Sequence, residues 1–180
     1  MHARTHARVQ VKMGLEDKLK GYNQSVVTGQ LTGLAAAAAG VLNADKIANY
    51  VPGVDTLLNK TYNAFGYTFA PGLPILAAAS NFIGDQLGFA ASLYLFNRGQ
   101  YKGLKGKLRF LKDGFNLGIR HLGSYLISYP LAIAASTAAI ATGFLTGFAA
   151  TIAPYIIESF ITGASYGLAT RDYRRGYSPS

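Results

Sequence analysis

Cysteine is absent from the chain, which excludes disulfides and thiol catalysis and leaves the redox compartment unread. Charge is scarce as well: 14% of residues are Asp, Glu, Lys or Arg, where soluble proteins carry about 25%. His2, His6 and His121 are scattered, and no His and carboxylate cluster stands at metal-ligand spacing, so neither a metal site nor a cofactor is expected. Outside the apolar stretches there is no phosphate loop, catalytic triad or paired acid and base. A membrane enzyme is therefore the least supported functional class.

What the chain has instead is a long uncharged run from Leu122 to Ile157. As one helix it would extend about 54 Å, against roughly 30 Å of bilayer hydrocarbon, so it must fold back. The reversal is expected at Thr142-Gly143-Phe144-Leu145-Thr146-Gly147, where glycine and threonine interrupt the apolar pattern. The bland alternative is a buried hairpin in a soluble protein.

Read in order, residues 1–20 form a basic polar tail, in which Met13 offers a second possible start. A first span is expected over 23–42. A charged start, an apolar middle and a small-residue end also fit a signal peptide cut near Ala39. Residues 45–72 form a long neutral connection dotted with Tyr50, Tyr62, Phe65, Tyr67 and Phe69, ring types that settle at a membrane–water interface. Val51-Pro52-Gly53 reads as a turn and 54–65 as a short surface helix. Asn59-Lys60-Thr61 is a glycosylation triplet of the kind that arises often by chance.

The second span is expected over 74–96, the third over 121–142 with Pro130 inside it, and the fourth over 148–170 with Pro154 in its first turns. Both prolines are candidate bending points. Between the second and third spans lies a basic segment, 98–120. Within it Leu104, Leu108, Leu111 and Phe115 fall on one helical face, with cations around the rest. Net charge is +9, and a nucleic-acid-binding helix would look similar in charge. An apolar stripe between two spans fits better a helix in the headgroup layer, its cations meeting anionic lipid. No nucleic-acid partner is expected.

All seventeen Lys and Arg except Lys46 and Lys60 fall in the tail, in 98–120 or in 171–175. An excess of cations marks the cytoplasmic side, so both termini are expected there. The expected fold is all-α: a four-helix integral membrane domain over 21–176 with interfacial amphipathic helices, and a disordered tail over 177–180.

Two acids stand inside these spans. Asp85 lies as far before Arg98 as Glu158 lies before Arg171, which gives the two acids a similar depth, about 20 Å from those arginines. A carboxylate at a helix centre costs about 2.5–3.5 kcal/mol on insertion scales, so such residues usually face a bundle interior or a water path. Two carboxyls at one depth in low dielectric do not both ionise, a property suited to proton coupling or substrate binding. The competing reading is structural: each acid, neutral, hydrogen-bonds a neighbouring helix. Ser159, Ser165 and Tyr166 could line a path beside Glu158. Gly29/Gly33/Ala37, Gly84/Gly88 and Gly163/Gly167 recur at four-residue spacing and suit close helix packing, within the chain or in a homodimer.

The four-span layout with a basic link between spans two and three resembles the small bacterial L-alanine exporter family. The likeness covers about residues 70–176. It is carried by Ile156-Ile157, by Gly163-Ala164-Ser165-Tyr166-Gly167 with Arg174-Arg175, by Asn81 with Gly88, and by Ser128-Tyr129-Pro130. The resemblance implies a small membrane exporter of amino acids. The chain differs from that family in carrying Asp85 and Glu158 and a longer first external loop, and no functional residue is carried over. The leading expectation is export of amino acids or similar polar metabolites, coupled to protons through Asp85 and Glu158. The alternative is a non-catalytic subunit or scaffold of a larger membrane assembly.

Overall fold

A computed structural model describes residues 21–159, and they are mostly helical. The first helix, α1 (Tyr22–Leu42), starts after Gly21, whose φ of 65° is left-handed. It ends where the Asn43 amide folds back and donates to the Ala39 carbonyl at 2.8 Å. Two short helices follow, α2 (Ala44–Tyr50) and α3 (Val54–Asn59).

The helix expected over 54–65 is shorter than its range. It stops at Asn59, and a β-hairpin takes over with strands β1 (Tyr62–Ala64) and β2 (Tyr67–Phe69). The register pairs Tyr62 with Phe69 and Ala64 with Tyr67. That leaves Phe65-Gly66 as a two-residue turn, with φ of 51° and 77°. Positive φ at both central positions is the turn type that suits the right-handed twist of paired strands. Four of the six strand residues, Tyr62, Tyr67, Thr68 and Phe69, are aromatic or β-branched, which suits a pleated ladder better than a helix. Phe65 holds its left-handed backbone at the tip with 95% of its surface exposed.

Four longer helices make the body. They are α1, α4 (Gly72–Asn97), α5 (Gly103–Ala141) and a last helix, α6, that begins at 147 and is described to 159. They run up and down in turn. The tightest pairing joins α1 to α4 through small residues. A Cβ at Gly33 would lie 2.9 Å from the Asn81 carbonyl oxygen, and one at Gly88 would lie 3.1 Å from that of Thr28. Glycine here is what lets two backbones approach.

Along its axis the bundle is layered. Tyr22, Val26, Phe89, Leu93, Tyr101 and Leu117 pack together towards the basic end. Ala37, Ala77, Ala78, Ala132, Ile152 and Tyr155 pack together towards the end bearing the hairpin. Between these apolar layers lie Asn81 and Asp85, both buried. By length and composition one described helix, Tyr22–Leu42, is long and apolar enough to cross a membrane, and Tyr125–Ala141 is a shorter apolar stretch. Asn81, Asp85 and Gln86 dilute α4, and the first half of α5 is basic.

The basic segment and the third expected span are not separate helices. They form one helix of 39 residues, α5, about 58 Å long. Lone glycines at 114, 118 and 123 each cost a helix only about 1 kcal/mol, too little to break it. The helix also continues through Pro130, whose ring nitrogen has no hydrogen to donate to the Leu126 carbonyl. Leu104, Leu108, Leu111 and Phe115 are exposed on the first half of α5, while Leu117 is buried and Phe110 packs against the core.

The link from α4 to α5 is held by Tyr101, which is buried and stacks on Tyr94 with ring centroids 6.3 Å apart. Its hydroxyl donates to Asp113 Oδ2 at 3.2 Å, and Arg109 Nε approaches the same oxygen at 3.6 Å. Burial first, and then the Asp113 carboxylate, push the Tyr101 phenol up to about 12. An unfolded tyrosine loses its proton near 10. Between these values the folded chain holds a proton that the unfolded chain has released, so stability falls as pH rises from about 10 to 12. The thermal midpoint, followed from pH 8 to 12, is expected to fall less steeply in Tyr101→Phe than in the native chain. Equal slopes would show that Tyr101 does not contribute to alkaline unfolding.

Candidate functional site

The layer between the two apolar clusters is built from spacings of four. Asn81 and Asp85 are one helical turn apart on α4, and Tyr125 and Tyr129 are one turn apart on α5. Residues at that separation share a helix face. The two pairs meet. The Tyr125 hydroxyl donates to Asp85 Oδ2, and the Tyr129 hydroxyl donates to Asn81 Oδ1 at 3.2 Å. Gln86 Nε2 in turn donates to the Tyr125 oxygen at 3.3 Å.

The two tyrosine rings stack, with centroids 5.2 Å apart and planes 7° from parallel. Phe82 stands edge-on to both, at 5.5 and 6.3 Å. From α6, Tyr155 comes within 6.2 Å of Tyr129, and its hydroxyl donates to the Pro74 carbonyl at 2.8 Å. That carbonyl lies in the first turn of α4, so the bond ties α6 to the start of the helix that carries Asp85.

Asp85 is 6% exposed, and Glu158 is half-buried on α6. Glu158 lies close enough to act electrostatically on Asp85, Tyr125, Tyr129 and Tyr155. The two acids that stand out in the sequence therefore belong to one neighbourhood, which they share with Tyr125, Tyr129 and Tyr155. Ser159, next to Glu158, is buried. Gly29 and Gly33 form the α1 wall of the layer: a Cβ at Gly29 would strike Asp85, and one at Gly33 would lie 2.8 Å from Asn81 Oδ1. Gly84 and Gly88 sit on the opposing α4 face against Thr28, Thr32 and Ala36. Two polar atoms in this region, Asn81 Nδ2 and Ser128 Oγ, are buried without a hydrogen-bond partner.

Ser165, Tyr166, Gly163 and Gly167 lie outside the described residues, as do the tails over 1–20 and 177–180. Pro130 is exposed on α5, about one turn beyond Tyr125, and Pro154 directly precedes Tyr155 on α6. Among the described residues no three His, Cys, Asp or Glu come together as a metal site.

Reading the sequence for charge alone passes over Tyr125, Tyr155 and Gln86, and it gives Asn81 and Tyr129 no role beyond the family likeness. The signal that finds them is the matched four-residue spacing of Asn81/Asp85 and Tyr125/Tyr129 inside otherwise apolar helices. Chemically, the layer offers two carboxyls, three phenols that donate separately to Asp85, Asn81 and the Pro74 carbonyl, and an aromatic wall. Compared with known protein families, with curated proteins and with solved structures, the chain has no match.

Proposed function

We propose that the chain is a four-span integral membrane protein that exports a small polar metabolite in exchange for protons, with Asp85 and Glu158 as the coupling groups. The observation that carries this reading is an inverted distribution of side chains. Leu31, Ile83, Leu87, Leu126, Ile127 and Leu131 are exposed, while Asn81, Asp85, Ser92, Ser136 and Thr151 are buried. In water such large outward aliphatic surfaces would be a liability; in hydrocarbon they are the favourable face, and polar groups belong inside.

On this reading the hairpin end is external. The basic first half of α5 continues the third span on the cytoplasmic side, packed on the Tyr101 link, and its cations draw it towards anionic lipid. Both termini are cytoplasmic. Ser159 lines the inner part of the path. Two copies enclose it as a homodimer, and Pro130 and Pro154 are the bending points for alternating access.

A second reading has one specific support. The hydrogen bond from Tyr125 to Asp85 is also what a purely structural pairing would use, in an accessory subunit docked to partner membrane helices. Reconstitution separates the two. Vesicles containing the protein, with a pH gradient imposed, are expected to drive proton-coupled substrate flux that falls about 100-fold in Asp85→Asn and in Glu158→Gln. Such a loss has the size usual for removing a general acid or base. Equal flux in both variants would sink the coupling role, and no flux in the native protein would leave the subunit reading standing.

A further inference from the structure

We infer that the substrate of this layer is an organic cation bearing an ammonium group, and not a carboxylate-bearing amino acid or an anion. The inference rests on the transporter reading above and names its substrate class.

The ionic inventory carries most of the argument. Across 23–42, 74–96, 121–142 and 148–170 the chain has two acids, no Lys or Arg, and one His, His121, at the basic edge of the third span. A substrate carboxylate at the depth of Asp85 and Glu158 would meet like charge from whichever acid is ionised and a Lys or Arg from none of the four spans. In a low-dielectric interior that repulsion has nothing to offset it. An ammonium meets the opposite situation, since either acid, once ionised, is its counter-charge.

Geometry points the same way. Phe82, Tyr125, Tyr129 and Tyr155 form a continuous aromatic wall with neighbouring centroids 5.2 to 6.3 Å apart. Aromatic faces attract cations through their quadrupole. Asn81 is 3% exposed and keeps one amide atom unpartnered, and the buried Ser128 hydroxyl has no partner either. Turning the amide over exchanges which atom is bonded, not how many are. The layer thus holds a counter-charge, rings, and spare hydrogen-bonding capacity for one polar group of the ligand.

Charge balance then supplies the coupling. The cation binds as a carboxyl of the layer gives its proton to water, so proton and substrate occupy the same acids in turn. Among the described side chains the titratable groups facing the layer are Asp85 on α4, Tyr125 and Tyr129 on α5, and Tyr155 and Glu158 on α6, and His121 stands one turn before Tyr125 along α5. The α1 wall contributes the glycines 29 and 33 and no titratable group.

The test uses the full-length protein in lipid nanodiscs, titrated with benzyltrimethylammonium, phenethylammonium, L-alanine and benzoate. Both ammonium probes are expected to bind saturably, at least 10-fold tighter than L-alanine or benzoate. Affinity should rise with pH, with proton release on binding. It should fall at least 10-fold in Asp85→Asn or Glu158→Gln, with helical content unchanged, and more mildly in Tyr129→Leu. If L-alanine or benzoate binds more tightly, and that binding is lost in Asp85→Asn, the cation inference is overturned while the transporter reading survives. Ammonium binding that is indifferent to both acid variants overturns the inference as well. If none of the four probes binds and the vesicles show no proton-driven flux, both readings fall.

Discussion

Gly84→Ile is expected to separate α1 from α4 and to destabilise the bundle by about 3 kcal/mol or more, at or beyond the upper range for overpacked cores. The first carbon of any side chain at 84 would lie 2.5 Å from Ala36 Cβ, 2.7 Å from the Thr32 carbonyl oxygen and 3.1 Å from Gly33 Cα. Two of those three neighbours are backbone, which cannot swing aside as a long side chain can. Relief requires moving α1 bodily, and α1 also forms the Gly29–Gly33 wall over Asp85 and Asn81. Thermal unfolding in mild detergent, followed by helical circular dichroism, should show a midpoint lowered by about 6–12 °C. Gly114→Ala is the control, because a Cβ there meets nothing within 4 Å. It should match the native protein or gain up to about 1 kcal/mol from helix propensity. A native-like midpoint for Gly84→Ile would refute close packing at this crossing.

Tyr125→Phe is the second large effect, and its origin is polar. Removing the hydroxyl takes from Asp85 its donor on the α5 side and from Gln86 its acceptor. A buried polar group stripped of its partner costs about 1–3 kcal/mol, more than the net worth of the bond itself. The sharper test is a cycle with Asp85→Ala. If the hydroxyl and the carboxyl stabilise each other, the double variant should cost less than the sum of the single variants by about 1 kcal/mol or more. Strict additivity would mean that the two groups do not interact in the folded protein. Asp85→Asn should be mild in the same assay, since the amide still offers Tyr125 an acceptor oxygen. Activity and stability would then part company at residue 85.

Helical character was legible because apolar runs of span length have few other ways to satisfy their backbone. The hairpin at 62–69 was not. Tyr62, Tyr67 and Phe69 carry the same ring chemistry whether they pair in strands or lie at an interface. The usual turn signal is Asn-Gly or Asp-Gly, and here it is Phe-Gly, so only half of it is present. Continuity of α5 was hidden for a different reason. The side chains change from basic to apolar near residue 121, and a change of side-chain character is easily mistaken for a change of backbone. At the site, Asp85 and Glu158 stand out because charge is rare in apolar segments. Asn81, Tyr125, Tyr129 and Tyr155 are ordinary residues anywhere, and only the three-dimensional meeting of two helix faces gives them a common place.

The length of α5 has a mechanical consequence. From Pro130 to Gly103 the helix is an uninterrupted arm of roughly 40 Å, so a bend of about 10° at the proline would carry its basic end, and the Tyr101 link packed on it, through roughly 7 Å. Motion of ångström size beside Asp85 is thereby geared up to the width of a helix turn at the far tip. Gearing runs in both directions. Whatever grips Lys102, Lys105 and Lys107 holds the long end of a lever whose short end reaches the tyrosines, and modest force at the tip is magnified where Tyr125 meets Asp85.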